Sequence, residues 1–181
     1  LARGSGVVLR HYGDPARDEI AMRIESLCRR RGLLFSVGGN WRLAARMGAH
    51  GLHLPAHMTT RGPSPGARLW IRRRNALLTV AAHDSIGLRR ASKIVAVAAF
   101  LSPIFYTLSH PGRPPLGPVR CAAMVRNAKV AVIALGGITA KKINALRHTG
   151  CIGIAGIGFA SQKSKIRTGV AHLRGRRCPV A

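Results

Sequence analysis

The chain has 181 residues, 30 of them Lys or Arg against only 5 Asp or Glu, a formal net charge of +25. Its 47% apolar composition, with 21 Gly and 10 Pro, fits one folded domain over residues 1–181 and excludes disorder, collagen and a coiled coil. The apolar runs fall far short of the ~18 residues that a membrane-spanning helix needs, and Arg3, Arg10 and His11 leave no room for a secretory leader. The expected location is therefore the cytoplasm, with no membrane partner.

Apolar, β-rich runs alternate with helical patterns along the chain. Gly6–Arg10 predicts a first strand. Asp14 as N-cap, followed by Pro15, opens a helix that places Ile20, Ile24, Leu27 and Cys28 on one face and stops at Gly32. Further strands are predicted at Leu33–Val37, Gly51–Leu54, Leu77–Ala82, Ile94–Leu101 and Val130–Leu135. A second helix should run from a Thr139 cap through Ile143 and Leu146 to Gly150, with Lys141, Lys142 and Arg147 facing water, before a last strand at Ile152–Ile157. Most of these strands lack polar alternation, as expected of a parallel sheet buried on both faces. With no break in composition, the predicted fold class is α/β, a doubly wound sheet or a TIM (β/α)8-type barrel, with seven strands visible. The longest connection, residues 102–118, is rich in proline and follows a strand, so it lies at the sheet edge where α/β proteins build their sites.

The few carboxylates are unevenly placed. Asp14, Asp18, Glu19 and Glu25 lie in the first 25 residues, Asp84 stands alone, and residues 85–181 hold none. This disfavours two-carboxylate acid–base chemistry and a Mg²⁺ site built from protein carboxylates. The excess of Arg and Lys favours anionic partners, either a small phosphorylated substrate or, non-specifically, a polyanion such as nucleic acid. An aromatic content of 4% leaves few platforms for stacking single-stranded bases. The short runs Arg29–Arg31, Arg72–Arg74 and Arg174 to Arg177 read as solvated helix faces or ends. Cys28, Cys121, Cys151 and Cys178 are scattered with no CxxC, which reads as buried or idle thiols in a reducing compartment.

His50, His53 and His57 form H-x₂-H-x₃-H, a spacing that suggests a metal. In a strand, however, His50 and His53 point to opposite faces, and no carboxylate or Cys stands nearby, so no metal site is expected. His53 and His83 each lie near a strand end, where they meet at the mouth of a barrel or are satisfied locally at the rim of the core. Ser161 and Ser164 show no nucleophile motif. Val132–Ile138 is a buried strand ending in Gly136 and Gly137, and Gly156 and Gly158 repeat the arrangement one strand later. Turns without side chains expose backbone N–H groups to an anion. Barrels commonly bind phosphate between the loops after their last two strands.

Seven segments, in order, carry a family resemblance: Gly6-Val-Val-Leu-Arg-His11, Gly48-Ala-His-Gly-Leu-His-Leu54, Val80-Ala-Ala-His83, Leu101-Ser-Pro-Ile-Phe-Tyr-Thr107, Pro115-Leu-Gly117, Ala134-Leu-Gly-Gly-Ile138 and Gly150-Cys-Ile-Gly-Ile-Ala-Gly156. In order and spacing the chain resembles the thiamine phosphate synthase/TenI family. The resemblance implies a (β/α)8 barrel of thiamine biosynthesis, in which the synthase joins hydroxymethylpyrimidine diphosphate to thiazole phosphate and releases pyrophosphate. The TenI branch isomerises the thiazole. The match begins at the family's second strand, so the expectation is that a first strand and helix lie outside this sequence, or that a partner such as a second copy covers the two sheet edges.

The resemblance also assigns roles. Arg10 matches the arginine of a Gln-x-Arg-x-Lys motif at the diphosphate, while Val8 and Tyr12 replace its companions. Gly39 and Met58 stand where the family carries two Mg²⁺-binding aspartates, and Gly38 where it carries an Asn. Ala81 replaces a serine, His110 a lysine, and Pro103 the TenI histidine. Thr107 and Ser109 match hydroxyls beside the thiazole phosphate, together with Gly136, Gly137, Gly156 and Gly158. The expected catalytic residues are Arg10 and His110. No cofactor is expected, since the family's Mg²⁺ has lost its ligands here.

Overall fold

The computed structural model describes residues 1–107 and 112–157. One parallel sheet holds seven strands in chain order: β1 (Gly6–Leu9), β2 (Leu34–Gly38), β3 (Gly51–Leu54), β4 (Leu77–Ala82), β5 (Ala98–Leu101), β6 (Ala131–Leu135) and β7 (Gly153–Ala155). Between them run α1 (Arg17–Arg31), α2 (Trp41–Arg46), α3 (Pro65–Arg74), α4 (Ser85–Lys93) and α5 (Gly117–Arg126). Sequential parallel pairing, from Gly6 opposite Leu34 to Leu135 opposite Ala155, is the topology of a TIM-type barrel. Among the described residues, β1 and β7 each pair on one side only. No helix among them is long and apolar enough to cross a membrane.

The core follows from the two-residue period of a strand. Leu52 and Leu54, Val80 and Ala82, Ala99 and Leu101, and Val132 and Ala134 turn outward onto Ala67 of α3, Leu88 and Ala91 of α4 and Cys121 of α5. Leu9, Phe35 and Val37 do the same against Ala21 and Cys28 of α1 and Leu43 of α2. Each fully buried Leu or Val contributes about 1.5–3 kcal/mol. The alternate residues His53, Thr79 and Phe100 face inward, and His53 touches both of the others. Because the helices run back against the strands, the strand C-termini and helix N-termini share one end, the mouth, and the helix C-termini share the other.

Local signals place the helices. Asn40, Ser64 and Asp84 cap α2, α3 and α4 by accepting from Leu43 N (3.0 Å), Ala67 N (3.3 Å) and Gly87 N (2.7 Å). The first helix starts later than its sequence suggests. Asp14 Oδ1 accepts from Ala16 N at 2.9 Å in a turn, so α1 begins at Arg17. Its buried face is Ala21 and Cys28, whereas Leu27 is exposed. The strand predicted at Ile94–Leu101 shortens to β5, because Ile94 ends α4 and Val95, with φ of 56°, turns outward. An unbroken apolar run cannot show where a helix ends and a strand begins. The larger correction is at 139–150, which forms two 3₁₀ turns, Ala140–Lys142 and Asn144–Leu146, in place of a helix. Thr139 makes no side-chain capping bond. Lys141 and Lys142 would also crowd the positive end of a helix dipole.

Candidate functional site

The mouth is richest in backbone polar groups where β6 and β7 end. Leu135 lies opposite Ala155, so Gly136 and Gly156, the next residue on each strand, emerge side by side. The segment after β5 closes over this turn: Ile104 N donates to Leu135 O (2.9 Å) and Phe105 N to Gly136 O (3.0 Å). Gly136 and Gly137 have φ of 97° and 63°. A Cβ on Gly137 would stand 2.1 Å from Tyr106 O, so the turn demands glycine for space as well as for conformation. Thr107, half-buried, follows directly on this contact. Lys142 places its ammonium 5.0 Å from the centre of the Phe105 ring and is drawn onto this segment rather than facing water. What gathers here is glycine backbone, a hydroxyl and a cation, a set suited to an anion. The 3₁₀ turns after Gly137 add no extended helix dipole.

A second group lies inside the barrel. His53 is buried, with Nδ1 3.0 Å from Thr79 Oγ1 and its ring edge-on to Phe100 at 5.2 Å. Burial, and then the positive charge of Arg10, hold its pKa down to about 4 from 6.5, so it is neutral at pH 7. Arg10, exposed just past β1, is near enough for its charge to act on His53. His83 has its Nδ1 2.8 Å from Ser102 O and 3.3 Å from Ser102 Oγ. His50 accepts from Phe35 N at 3.1 Å, and His57 is exposed in a 3₁₀ turn. Among the described residues, no group of three or more His, Cys, Asp or Glu could hold a metal ion.

The two positions to which the resemblance assigns the family's Mg²⁺ ligands, Gly39 and Met58, are neighbours. A Cβ on Gly39 would lie 3.6 Å from Met58 Sδ and 3.3 Å from the Tyr12 ring. At Gly38 it would meet the Tyr12 hydroxyl at 2.9 Å. The Arg17 guanidinium stacks over Tyr12 at 5.5 Å and donates to Gly38 O, while its Nε is buried with no hydrogen-bond partner. Mg²⁺ takes a near-octahedral set of oxygens, usually including a carboxylate. A thioether, a phenol and a guanidinium do not provide one, so the residues here do not fit the ion.

Ser109, His110 and Gly158 lie outside the described residues, as do Ser161, Ser164, Cys178 and the basic residues Arg174 to Arg177. The side chains that sequence reasoning missed are Tyr12, Arg17 and Lys142. Arg17 and Lys142 sit on elements whose local patterns read as surface. Only the approach of Gly38 and Phe105, distant in sequence, gives them a role.

Similarity to known proteins bears on this mouth. A family model described as thiamine monophosphate synthase matches residues 4–159. Thiamine-phosphate synthase of Salinispora tropica is 31% identical over 168 residues, covering 89% of this chain and 78% of that protein. The structure of thiamine phosphate pyrophosphorylase from Pyrococcus furiosus superposes with a TM-score of 0.68 at 22% identity, over 84% of this chain and 72% of that one. FabK from Thermotoga maritima reaches 0.63 at 14% identity, over 82% and 49%. A barrel shared with proteins as differently named as these carries no assignment by itself. The family match does, because it runs along nearly all of the described residues and through both glycine turns, and by it this chain belongs to the thiamine monophosphate synthase family.

Proposed function

We propose that this chain is a thiamine phosphate synthase-like protein that keeps the phosphate half of the family's site and has lost the metal half. It binds thiazole phosphate at the mouth between β6 and β7. Gly136, Gly137 and Gly156 offer backbone N–H groups and Thr107 a hydroxyl, and Ser109 and Gly158, outside the described residues, are the further contacts that the resemblance implies. Lys142 adds charge. The observation that carries this reading is the Gly136–Gly137 turn held against the 104–106 segment, with Gly156 beside it at the end of β7, set against Gly39 and Met58 where carboxylates would be needed.

Coupling to hydroxymethylpyrimidine diphosphate expels pyrophosphate, whose charge must be stabilised as it leaves. Arg10 takes that role in this reading, with His110 as helper when protonated. One lost electrostatic donor commonly costs on the order of 10²–10³ in rate, so coupling runs far below that of a synthase with the full carboxylate set. The residual rate should drop in Arg10→Ala and fall as pH rises past the ordinary histidine pKa of ~6.5. Calorimetry with thiazole phosphate and with the dephosphorylated thiazole alcohol tests the cradle. The phosphate should bind and the alcohol should not, and Thr107→Ala and Lys142→Ala should each weaken binding. Equal affinity for the two ligands, or robust Mg²⁺-stimulated coupling insensitive to Arg10→Ala, would overturn the reading.

A second reading, as a polyanion binder, draws on the opposite end of the barrel. Arg29–Arg31, Arg72–Arg74, Arg90, Lys93 and Arg126 occupy the last turns of α1, α3, α4 and α5, and all are exposed. Asp14, Asp18, Glu19 and Asp84 lie at helix starts, on the mouth side. Of the five carboxylates only Glu25 is placed towards this face, 3.9 Å from Arg29. Nucleic acid binding there should weaken steeply with salt and should persist when the mouth is saturated with thiazole phosphate.

A further inference from the structure

Two cysteines thirty residues apart meet. Cys121, in the middle of α5, is fully buried in the core, and Cys151, in the irregular segment entering β7, is half-buried; their sulfurs are 3.5 Å apart. Thr149 braces the second cysteine. Its hydroxyl donates to Leu146 O at 2.8 Å and accepts from Cys151 N at 3.4 Å. Cys28, in α1, is buried in a different core cluster.

We infer that Cys121 and Cys151 form a reversible disulfide site. A disulfide needs the sulfurs at about 2.05 Å, so about 1.5 Å of approach remains. Cys121 is fixed by its helix, and the shift falls on Cys151, which no helix or ladder bond constrains at its own position. The two thiols also differ in reactivity. The contact with Cys121 lowers the half-buried Cys151 thiol, whereas the same contact and burial push Cys121 up. Cys151 is therefore the attacking thiolate and Cys121 the resolving thiol. Burial, and then the nearby Glu25, raise Cys28, so it stays a thiol under the same conditions.

Hydrogen peroxide is the oxidant. The Cys151 thiolate attacks one peroxide oxygen, the O–O bond breaks, and the departing hydroxide takes a proton to become water, leaving a sulfenic acid on Cys151. Cys121 then attacks the Cys151 sulfur as its S–O bond breaks, and the thiol proton leaves with the hydroxyl as a second water. Two thiols lose two electrons in all, and one peroxide gains them. The link ties α5 to the segment that feeds β7, one strand from the glycine turns.

The test treats the full-length protein with one equivalent of peroxide and maps tryptic fragments without reduction. The expected product is a crosslink between the fragments carrying Cys121 and Cys151, two hydrogen masses lighter than their sum, with Cys28 free; dithiothreitol should reverse it. In Cys121→Ser the reaction should stop at a sulfenic acid on Cys151, trapped by dimedone. A wild-type protein that accumulates dimedone-reactive Cys151 without the crosslink, or that oxidises Cys28 in preference, would overturn the assignment.

Discussion

His53 shows how one residue ties stability to the site. Its pKa lies at about 4 in the folded chain, lowered by burial first and Arg10 second, and near 6.5 when unfolded. Between those values the unfolded chain binds a proton that the folded chain refuses. The contribution is therefore full above pH 6.5 and lost as pH falls through about 4, to a total of about 3 kcal/mol. Thermal melts from neutral to acid pH should show this loss, and His53→Gln should flatten it. Arg10→Ala should raise the His53 pKa in an imidazole NMR titration; an unchanged titration would mean that Arg10 does not face the interior. Gly137 invites a second comparison. Gly137→Ala combines a positive φ with a clash against Tyr106 O, so it should cost more than the roughly 1–3 kcal/mol of strained backbone alone. Gly48→Ala, at φ of 59° with nothing within 4 Å of its Cβ, should cost only the strain. Urea unfolding of the two variants compares them directly.

At the scale of elements, capping residues and turn glycines organise the mouth. Asp84 opens α4 directly after His83, so the loop that carries this histidine is pinned by the helix start. Asp84→Ala should cost about 1 kcal/mol in urea unfolding, with no change expected in the acid-dependent loss assigned to His53. The 3₁₀ turns at 140–146 have a different consequence. They leave Lys142 beside Phe105, where a regular helix with the expected spacing would carry it into solvent. The Asp14–Pro15 signal was legible, but it marked the turn before α1, because a carboxylate followed by proline suits an Asx turn as well as an N-cap. The strands at Gly51–Leu54 and Leu77–Ala82 were legible to the residue, since both lie between turn signals and neither adjoins an apolar helix end.

Over the whole molecule, charge is segregated by topology. The basic ends of α1, α3, α4 and α5 collect at the face opposite the mouth, while four of the five carboxylates stay with the helix starts. The short α2 does not reach that face, and its Arg46 pairs with Asp18 in the first turn of α1. Replacing Arg72, Arg73 and Arg74 with Gln should reduce the slope of log affinity against log salt for duplex DNA by about 0.9 for each phosphate that is no longer neutralised. Thiazole phosphate affinity should be unchanged in that variant. A shift in both would place nucleic acid and phosphate ester on one surface.

Strand periodicity and punctuation by Gly and Pro were enough to indicate a parallel α/β fold, its glycine-ended strands and the scarcity of carboxylates, and the seven motifs in order pointed, by resemblance, to the barrel. These are local properties, carried by residues close together in the chain. The tertiary structure alone decided that Tyr12, Arg17 and Met58 converge beside Gly38 and Gly39, that Lys142 reaches Phe105, and that Cys121 lies against Cys151. Each of those approaches joins residues on different elements. The side-by-side pairing of successive strands brings them together, and no spacing along the chain records it.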